Sequence, residues 1–210
     1  MIDFNKIKNI VLDLGNVIIN INFDLTYKAI ADLTPLDVFE VKKKLDEIDL
    51  WNRYEEGLVS DVVFLDTLYN ALELTCSRMK LIEAWHGLLL DIPKKRIEMI
   101  DYLKENYNLY ILSNTNDLHI QEINERIKEE FGREDLRSLV HKAYYSYEMK
   151  MRKPNKEIYM TMLADGNMRA DETLFLDDNE DNIEGAKKMG IQTILVDPDN
   201  SCMTEYLKDA

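Results

Sequence analysis

Asn9-Ile10-Val11-Leu12-Asp13-Leu14-Gly15-Asn16-Val17 is an apolar run that ends on a carboxylate and then breaks at glycine. A short stretch of Ile, Val and Leu bounded by a Gly-Asn turn signal has the composition of a strand buried on both faces, as in parallel sheets. Asp13 then stands at its carboxyl end. In open α/β sheets ligands collect in the crevice beyond the carboxyl ends of the strands, so a carboxylate there is placed to meet a substrate. Taken alone, the same Asp also reads as a turn former before Gly, and the rest of the chain has to decide between the two.

From Asn20 to about Asp91 the pattern is helical with almost no strand signal. Val38, Val41, Leu45 and Ile48 recur at helical spacing, as do Val62, Leu65, Leu68 and Leu72, and then Leu81, Trp85, Leu88 and Leu89. This predicts at least three amphipathic helices. Breaks at Thr34-Pro35, Glu56-Gly57 and Cys76-Ser77 suit the short connections of a small bundle, with Ser60 and Ser77 as helix caps. Residues 20–91 are therefore read as an inserted helical unit, and 1–19 with 92–210 as the core around it.

Beyond Asp91 strand and helix alternate. Pro93 restarts a helix whose Ile97, Ile100, Leu103 and Tyr107 share a face, and it leads into the strand-like Asn108 to Ser113. Asn116 or Asp117 can cap a charged helix that continues to about Phe131. A third strand is expected from Ala143 to Tyr147, a loop from Met149 to Pro154, and a helix through Leu163. Thr173 to Leu176 gives a fourth strand ending in Asp177-Asp178, and a helix carrying Ile183 and Ala186 stops at Gly190. Gln192 to Val196 forms a fifth strand closed by Asp197-Pro198. Alternation of this kind predicts an α/β fold with a parallel sheet and right-handed crossovers, the helical unit being an insertion.

The formal charge of -14 argues against a protein that grips nucleic acid or an anionic membrane through its net field. The N-terminus lacks a signal-peptide apolar core and no apolar run approaches a membrane span, which reads as cytoplasmic. Cys76 and Cys202 show no metal-type spacing and read as inert thiols.

Asp13, Ser113, Lys153 and Asp178 each fall at or just beyond the carboxyl end of a strand-like run, so one rim should gather them. Together they supply a nucleophilic carboxylate, a hydroxyl, a cation and a second carboxylate. Two carboxylates repel unless a cation lies between them, and a hard oxygen site with few protein ligands suits Mg2+. Phosphoryl transfer asks mainly for positioning and charge neutralisation, and an Asp can carry the phosphoryl group between two steps.

Asp13-Leu14-Gly15-Asn16-Val17, Leu112-Ser113-Asn114-Thr115-Asn116, Arg152-Lys153-Pro154 and the stretch from Leu176 to Ala186 resemble, in order, the four motifs of the haloacid dehalogenase (HAD) superfamily. Within it the chain is similar to the bacterial glucose-1-phosphate phosphatase type, whose helical cap is inserted after the first motif. The resemblance implies a HAD-like fold, a Rossmann-like doubly wound parallel sheet core with an inserted α-helical bundle cap, together with hydrolysis of a small phosphorylated metabolite such as a sugar phosphate, and Asp13 as nucleophile. It also implies that Ser113 and Asn114 contact the transferred phosphate, with Lys153 neutralising it. Magnesium is then held by Asp13, the Gly15 carbonyl and Asp178, supported by Asp177 or Asn182.

One departure bears on the chemistry. Many phosphatases of this superfamily carry a second Asp, acting as general acid and base, where this chain has Gly15. A sugar 1-phosphate would tolerate that loss, because its anomeric leaving group is more acidic than an ordinary alcohol. Lys150 is a second departure, at a position where many relatives have Gly.

Other residues weigh less. His86 beside Trp85, and Trp51 near Asn52, Arg53 and Tyr54, are candidates to face a sugar, against the alternative of core packing for the tryptophans and surface for the histidine. His119 reads as structural or near the site. Two rival functions use the same residues: carbon-halogen hydrolysis, which needs an Asp nucleophile but has no use for the acids at 177 and 178, and non-catalytic binding of a phosphorylated ligand or partner.

Overall fold

In the computed structural model, residues 2–198, 203–208 and 210 are described. The opening run forms strand β1 (Asn9–Leu12), buried along its whole length. The chain then passes through α1 (Phe23–Ala31), α2 (Val38–Glu47), α3 (Leu50–Glu55), α4 (Asp61–Ala71) and α5 (Arg78–Trp85) before α6 (Lys94–Asn106) returns it to β2 (Asn108–Ser113). After α7 (Asp117–Phe131) come β3 (Lys142–Tyr145), the single turn α8 (Ser146–Met149), α9 (Lys156–Asp165), β4 (Thr173–Asp177), α10 (Glu180–Lys188), β5 (Gln192–Leu195) and α11 (Met203–Tyr206). The strands form one parallel sheet in the order β3-β2-β1-β4-β5. β1 thus lies between the two halves of the sheet, where the crevice at the carboxyl ends opens.

Both faces of β1 are covered. Ile10 and Leu12 pack with Ile97, Ile100 and Leu103 of α6 and with Ile123 and Ile127 of α7. Val11 packs on the opposite face with Ile158, Tyr159 and Met162 of α9 and Ile183 of α10. Each fully buried Ile or Leu favours this arrangement by about 1.5–3 kcal/mol over exposure. At the sheet edge β5 is only half-buried, and Leu195 is exposed.

The helices between β1 and β2 bury a core of their own, in which Ile30, Val41, Leu45, Phe64, Leu68, Leu81 and Trp85 meet. Their starts follow the expected chemistry. Ser60 accepts from the Val63 N–H and Ser77 from the Lys80 N–H, and Asp37 with Glu40 forms a reciprocal capping box. The segments that leave and re-enter the sheet region run side by side, with Asn22 N–H donating to Leu88 O and Leu90 N–H to Asn20 O, at 2.9 Å each.

Two expectations need correction. The third strand ends at Tyr145, because Ser146 turns into α8, where its hydroxyl meets main-chain groups far away in sequence. Val62 is 57% exposed; the buried face of α4 runs through Phe64, Leu65 and Leu68 instead. Cys76 is a half-buried free thiol, while Cys202 lies outside the described residues. Among the described residues no helix is long and apolar enough to cross a membrane.

Candidate active site

Lys153 is at the centre of the rim. It is 1% exposed, and its ammonium donates to Asp13 Oδ1 at 2.6 Å, Asp177 Oδ2 at 2.6 Å and the Leu112 carbonyl at 2.9 Å. Its three N–H donors thus meet oxygens from β1, β2 and β4, which joins three strand ends through one nitrogen. Burial opposes its charge, but Asp13 and Asp177 outweigh that and hold its pKa above the ordinary lysine value.

The main chain of Lys153 is fixed as well. Asn114 clamps it with both ends of its amide, accepting from Lys153 N–H at 2.9 Å and donating to Lys153 O at 3.0 Å. The side chain of Asn114 is therefore engaged with the lysine loop. Ser113 is buried, and among the described residues its hydroxyl makes only a long contact of 3.4 Å to Asn114 O. Lys150 takes the left-handed backbone conformation (φ 56°), which suits glycine best, and donates to Gly57 O at 2.6 Å.

The acidic pair divides its work. Asp177 is fully buried, with its oxygens taken by Lys153, the Asn179 N–H and the Asn182 amide. Asp178 instead lines the cleft, oriented by a 2.8 Å bond from Asn16 Nδ2. Asn16, also left-handed (φ 56°), accepts in turn from Ile21 N–H at 3.1 Å.

Asp13, Asp177 and Asp178 offer carboxylate oxygens within 4.8 Å of one another. Three carboxylates facing one ammonium leave an excess of negative charge. Burial, resisted by Lys153 and reinforced by Asp177 and Asp178, pushes the Asp13 carboxyl up to about 7, and Asp178 is raised for the same first reason. A hard divalent cation fits this donor set, and its charge would favour the ionised forms of both carboxyls.

The cleft beside these groups has a volume of about 240 Å³ and is lined by Asp13, Gly15, Lys153, Asp178, Glu55 and Arg152, with Phe23 at its edge. A smaller chamber of about 40 Å³ adjoins it, shares Gly15, Phe23, Glu55 and Asn114 with it, and reaches Trp51, Ser113 and His119. Glu55 links the two sides. Its carboxylate accepts from Trp51 Nε1 at 2.9 Å and from Arg152 at 3.1 Å, and its main-chain oxygen accepts from Ser146 Oγ at 2.6 Å. Burial raises the Glu55 carboxyl above its ordinary value, partly offset by Arg152 and Trp51. Arg152 Nε is buried without a hydrogen-bond partner among the described residues.

The structure brings Asp13, Gly15, Asn114, Lys153 and Asp178 around one cleft, with Ser113 in the adjoining chamber. It does not bring His86 there, since that ring turns toward Glu122 at 3.4 Å. Trp85 is core, whereas Trp51 lines the chamber, its ring tilted against Trp85 with centroids 4.3 Å apart. His119 is the histidine at the chamber wall; it lies flat on Trp85 at 5.0 Å, with Nε2 3.1 Å from Trp85 O and Nδ1 2.9 Å from Asn116 Nδ2. Those two bonds fit a neutral ring, and burial pulls its pKa down to about 3. Glu55, Asn16 and the pairing role of Arg152 went unread in the sequence.

Residues 69–196 match the family described as haloacid dehalogenase-like hydrolase. The chain belongs to this family. Over 191 residues, 89% of this chain and 90% of the relative, it is 32% identical to a D-ribitol-5-phosphate phosphatase of Bacteroides thetaiotaomicron. Two solved structures share the fold of this haloacid dehalogenase-like hydrolase closely. One is a HAD family enzyme from Bacteroides thetaiotaomicron in complex with magnesium and inorganic phosphate (TM-score 0.87, 28% identity, 96% of this chain and 99% of that one). The other is a predicted HAD-like family hydrolase from Porphyromonas gingivalis (TM-score 0.88, 29% identity, 97% of each chain).

Proposed function

We propose that this haloacid dehalogenase-like hydrolase is a magnesium-dependent phosphatase acting on a sugar or polyol phosphate, with Asp13 as the nucleophile. The observation that carries the reading is the buried ammonium of Lys153, 2.6 Å from Asp13 Oδ1, in a cleft that also exposes Asp178. The ribitol phosphate named in one relative and the magnesium and phosphate bound by another support it.

In this reading an Asp13 oxygen attacks phosphorus and expels the alcohol, and water then attacks the aspartyl phosphate to release inorganic phosphate. Asp13, the Gly15 carbonyl and Asp178 would hold magnesium, which supplies charge neutralisation and orientation for the phosphoryl oxygens. Ser113 and Asn114 contact the transferred group, and Lys153 balances its charge. Asn114 positions the lysine loop and Asn16 sets the direction of Asp178. Residues 20–91 act as the cap that selects the substrate, and 1–19 with 92–210 as the catalytic core. The expected partner is a small phosphorylated molecule, in the cytoplasm, with no nucleic acid or membrane bound.

The test is to assay the purified chain with magnesium against sugar phosphates, polyol phosphates, nucleotides and phospho-acids, with and without chelator. Release of phosphate from a sugar or polyol ester, abolished by chelation and by Asp13→Asn, is the expected result. Activity on a haloacid that survives chelation, or phosphatase activity unchanged in Asp13→Asn, would overturn the reading.

A further inference from the structure

Expelling an ordinary alcohol from phosphorus leaves an alkoxide that needs a proton, and the water of the second step must lose one. Position 15 supplies neither. A Cβ built there would lie 2.6 Å from Ile21 Cδ1, so an isoleucine already fills the space next to the main chain at that point. The other groups lining the cleft are committed. Lys153 has its three donors on three oxygens, Asp178 is tied to Asn16 beside Asp13, and the guanidinium of Arg152 does not give up its proton in a protein.

We propose that Glu55, carried by α3, is the general acid for the leaving oxygen and the general base for the attacking water. The inference rests on the phosphatase reading above. Glu55 lines the same cleft as Asp13, Gly15 and Asp178. It is held there from both sides of the cleft: by Arg152 and Trp51 at its two carboxylate oxygens, by Ser146 at its main-chain oxygen, and by the neighbouring Lys150–Gly57 bond of 2.6 Å. Each carboxylate oxygen so held keeps a lone-pair site for substrate or water. The burial that raises its carboxyl favours the protonated form an acid requires.

The proton balance closes. As Asp13 forms its bond to phosphorus, the P–O bond to the alcohol breaks, its electron pair stays on the leaving oxygen, and that oxygen takes the Glu55 proton. The Glu55 carboxylate then accepts a proton from water as the water oxygen attacks phosphorus. The bond to Asp13 breaks, inorganic phosphate departs, and Glu55 is again protonated.

The experiment compares single-turnover rates of the full chain with magnesium on a series of alkyl and aryl phosphates. For wild type, the rate should depend weakly on the acidity of the leaving alcohol. In Glu55→Gln, alkyl esters should slow by roughly 10²–10⁴-fold, whereas the first turnover of p-nitrophenyl phosphate, whose leaving group needs no acid, should change only a few-fold. The slowed second step should then appear as a nitrophenolate burst. A parallel fall of alkyl and aryl first-turnover rates, or no change in either, would overturn the proposal. A steep leaving-group dependence in wild type would overturn it without any variant. Failure of wild type to hydrolyse any ester, or activity retained in Asp13→Asn, would instead strike the phosphatase reading itself.

Discussion

On the sheet side of the cleft nearly every polar group is bonded to another: Lys153 to Asp13 and Asp177, Asp177 to Asn182, Asp178 to Asn16, Asn114 to the Lys153 main chain. The side supplied by the helices between β1 and β2 presents Phe23 and Trp51 with a single carboxylate, Glu55, among them. A saturated network fixes positions to within a hydrogen bond and tolerates little change. An aromatic wall with one acid sets shape, supplies the proton in the proposal above, and touches the sheet network less closely. The contrast teaches that the sheet side holds its groups by hydrogen bonds, while the helical side offers shape with one acid; in the proposed function the first fixes the nucleophile and the second selects the substrate.

The largest expected effect breaks the saturated side. Lys153→Met leaves Asp13 and Asp177 buried without their cation, so stability should fall by about 3–5 kcal/mol and turnover on the order of a thousandfold. Chemical denaturation and a phosphatase assay check the two. At the junction of the two sides, Gly57 has φ +60°, and a Cβ there would lie 2.1 Å from Tyr147 O. Gly57→Ala should therefore cost about 2 kcal/mol, read as a lowered denaturation midpoint.

His119 joins the sides differently, between Trp85 and Asn116, and its neutral ring makes the link sensitive to acid. The folded protein keeps it neutral down to about 3, whereas the unfolded chain takes up a proton near 6.5. Between those values the unfolded state binds the extra proton, so the contribution of His119 to stability is whole above pH 6.5 and is lost as the pH falls. By pH 5 the loss is about 2 kcal/mol. The raised carboxyls of Asp13, Glu55 and Asp178 act in the opposite direction, so the measurement is the difference in pH dependence between wild type and His119→Gln, with wild type the more acid-sensitive. The smallest effect sharpens the comparison from the aromatic side. Phe23 is 46% exposed, and Phe23→Ala should leave folding nearly unchanged while raising KM for a sugar phosphate roughly tenfold and sparing kcat on a small aryl phosphate.

The carboxylates and Ser113 on the saturated side were legible in the sequence, because each follows a strand-like run that carries its own signature of Ile, Val, Leu and Phe, whereas Lys153 comes in on the loop after α8. Asp13 follows β1 directly, β2 and β4 end on Ser113 and Asp177, and a parallel sheet must gather those ends. The aromatic side was not. Glu55 and Arg152 stand 97 positions apart and meet only through the docking of α3 on α8. His86 and His119 both flank apolar residues, and the helix that carries each decides which one reaches the chamber. Tyr145 ends β3 because the Ser146 hydroxyl is claimed by Thr115 and Glu55, long-range contacts that leave no mark on local composition.

The most direct measurement is to quench a single turnover of a radiolabelled sugar phosphate with acid and map the labelled peptide. The account expects an acid-stable, hydroxylamine-sensitive phosphoryl group on Asp13, absent in Asp13→Asn. Turnover at the normal rate with no label on the protein, or with label on any other residue, would contradict it.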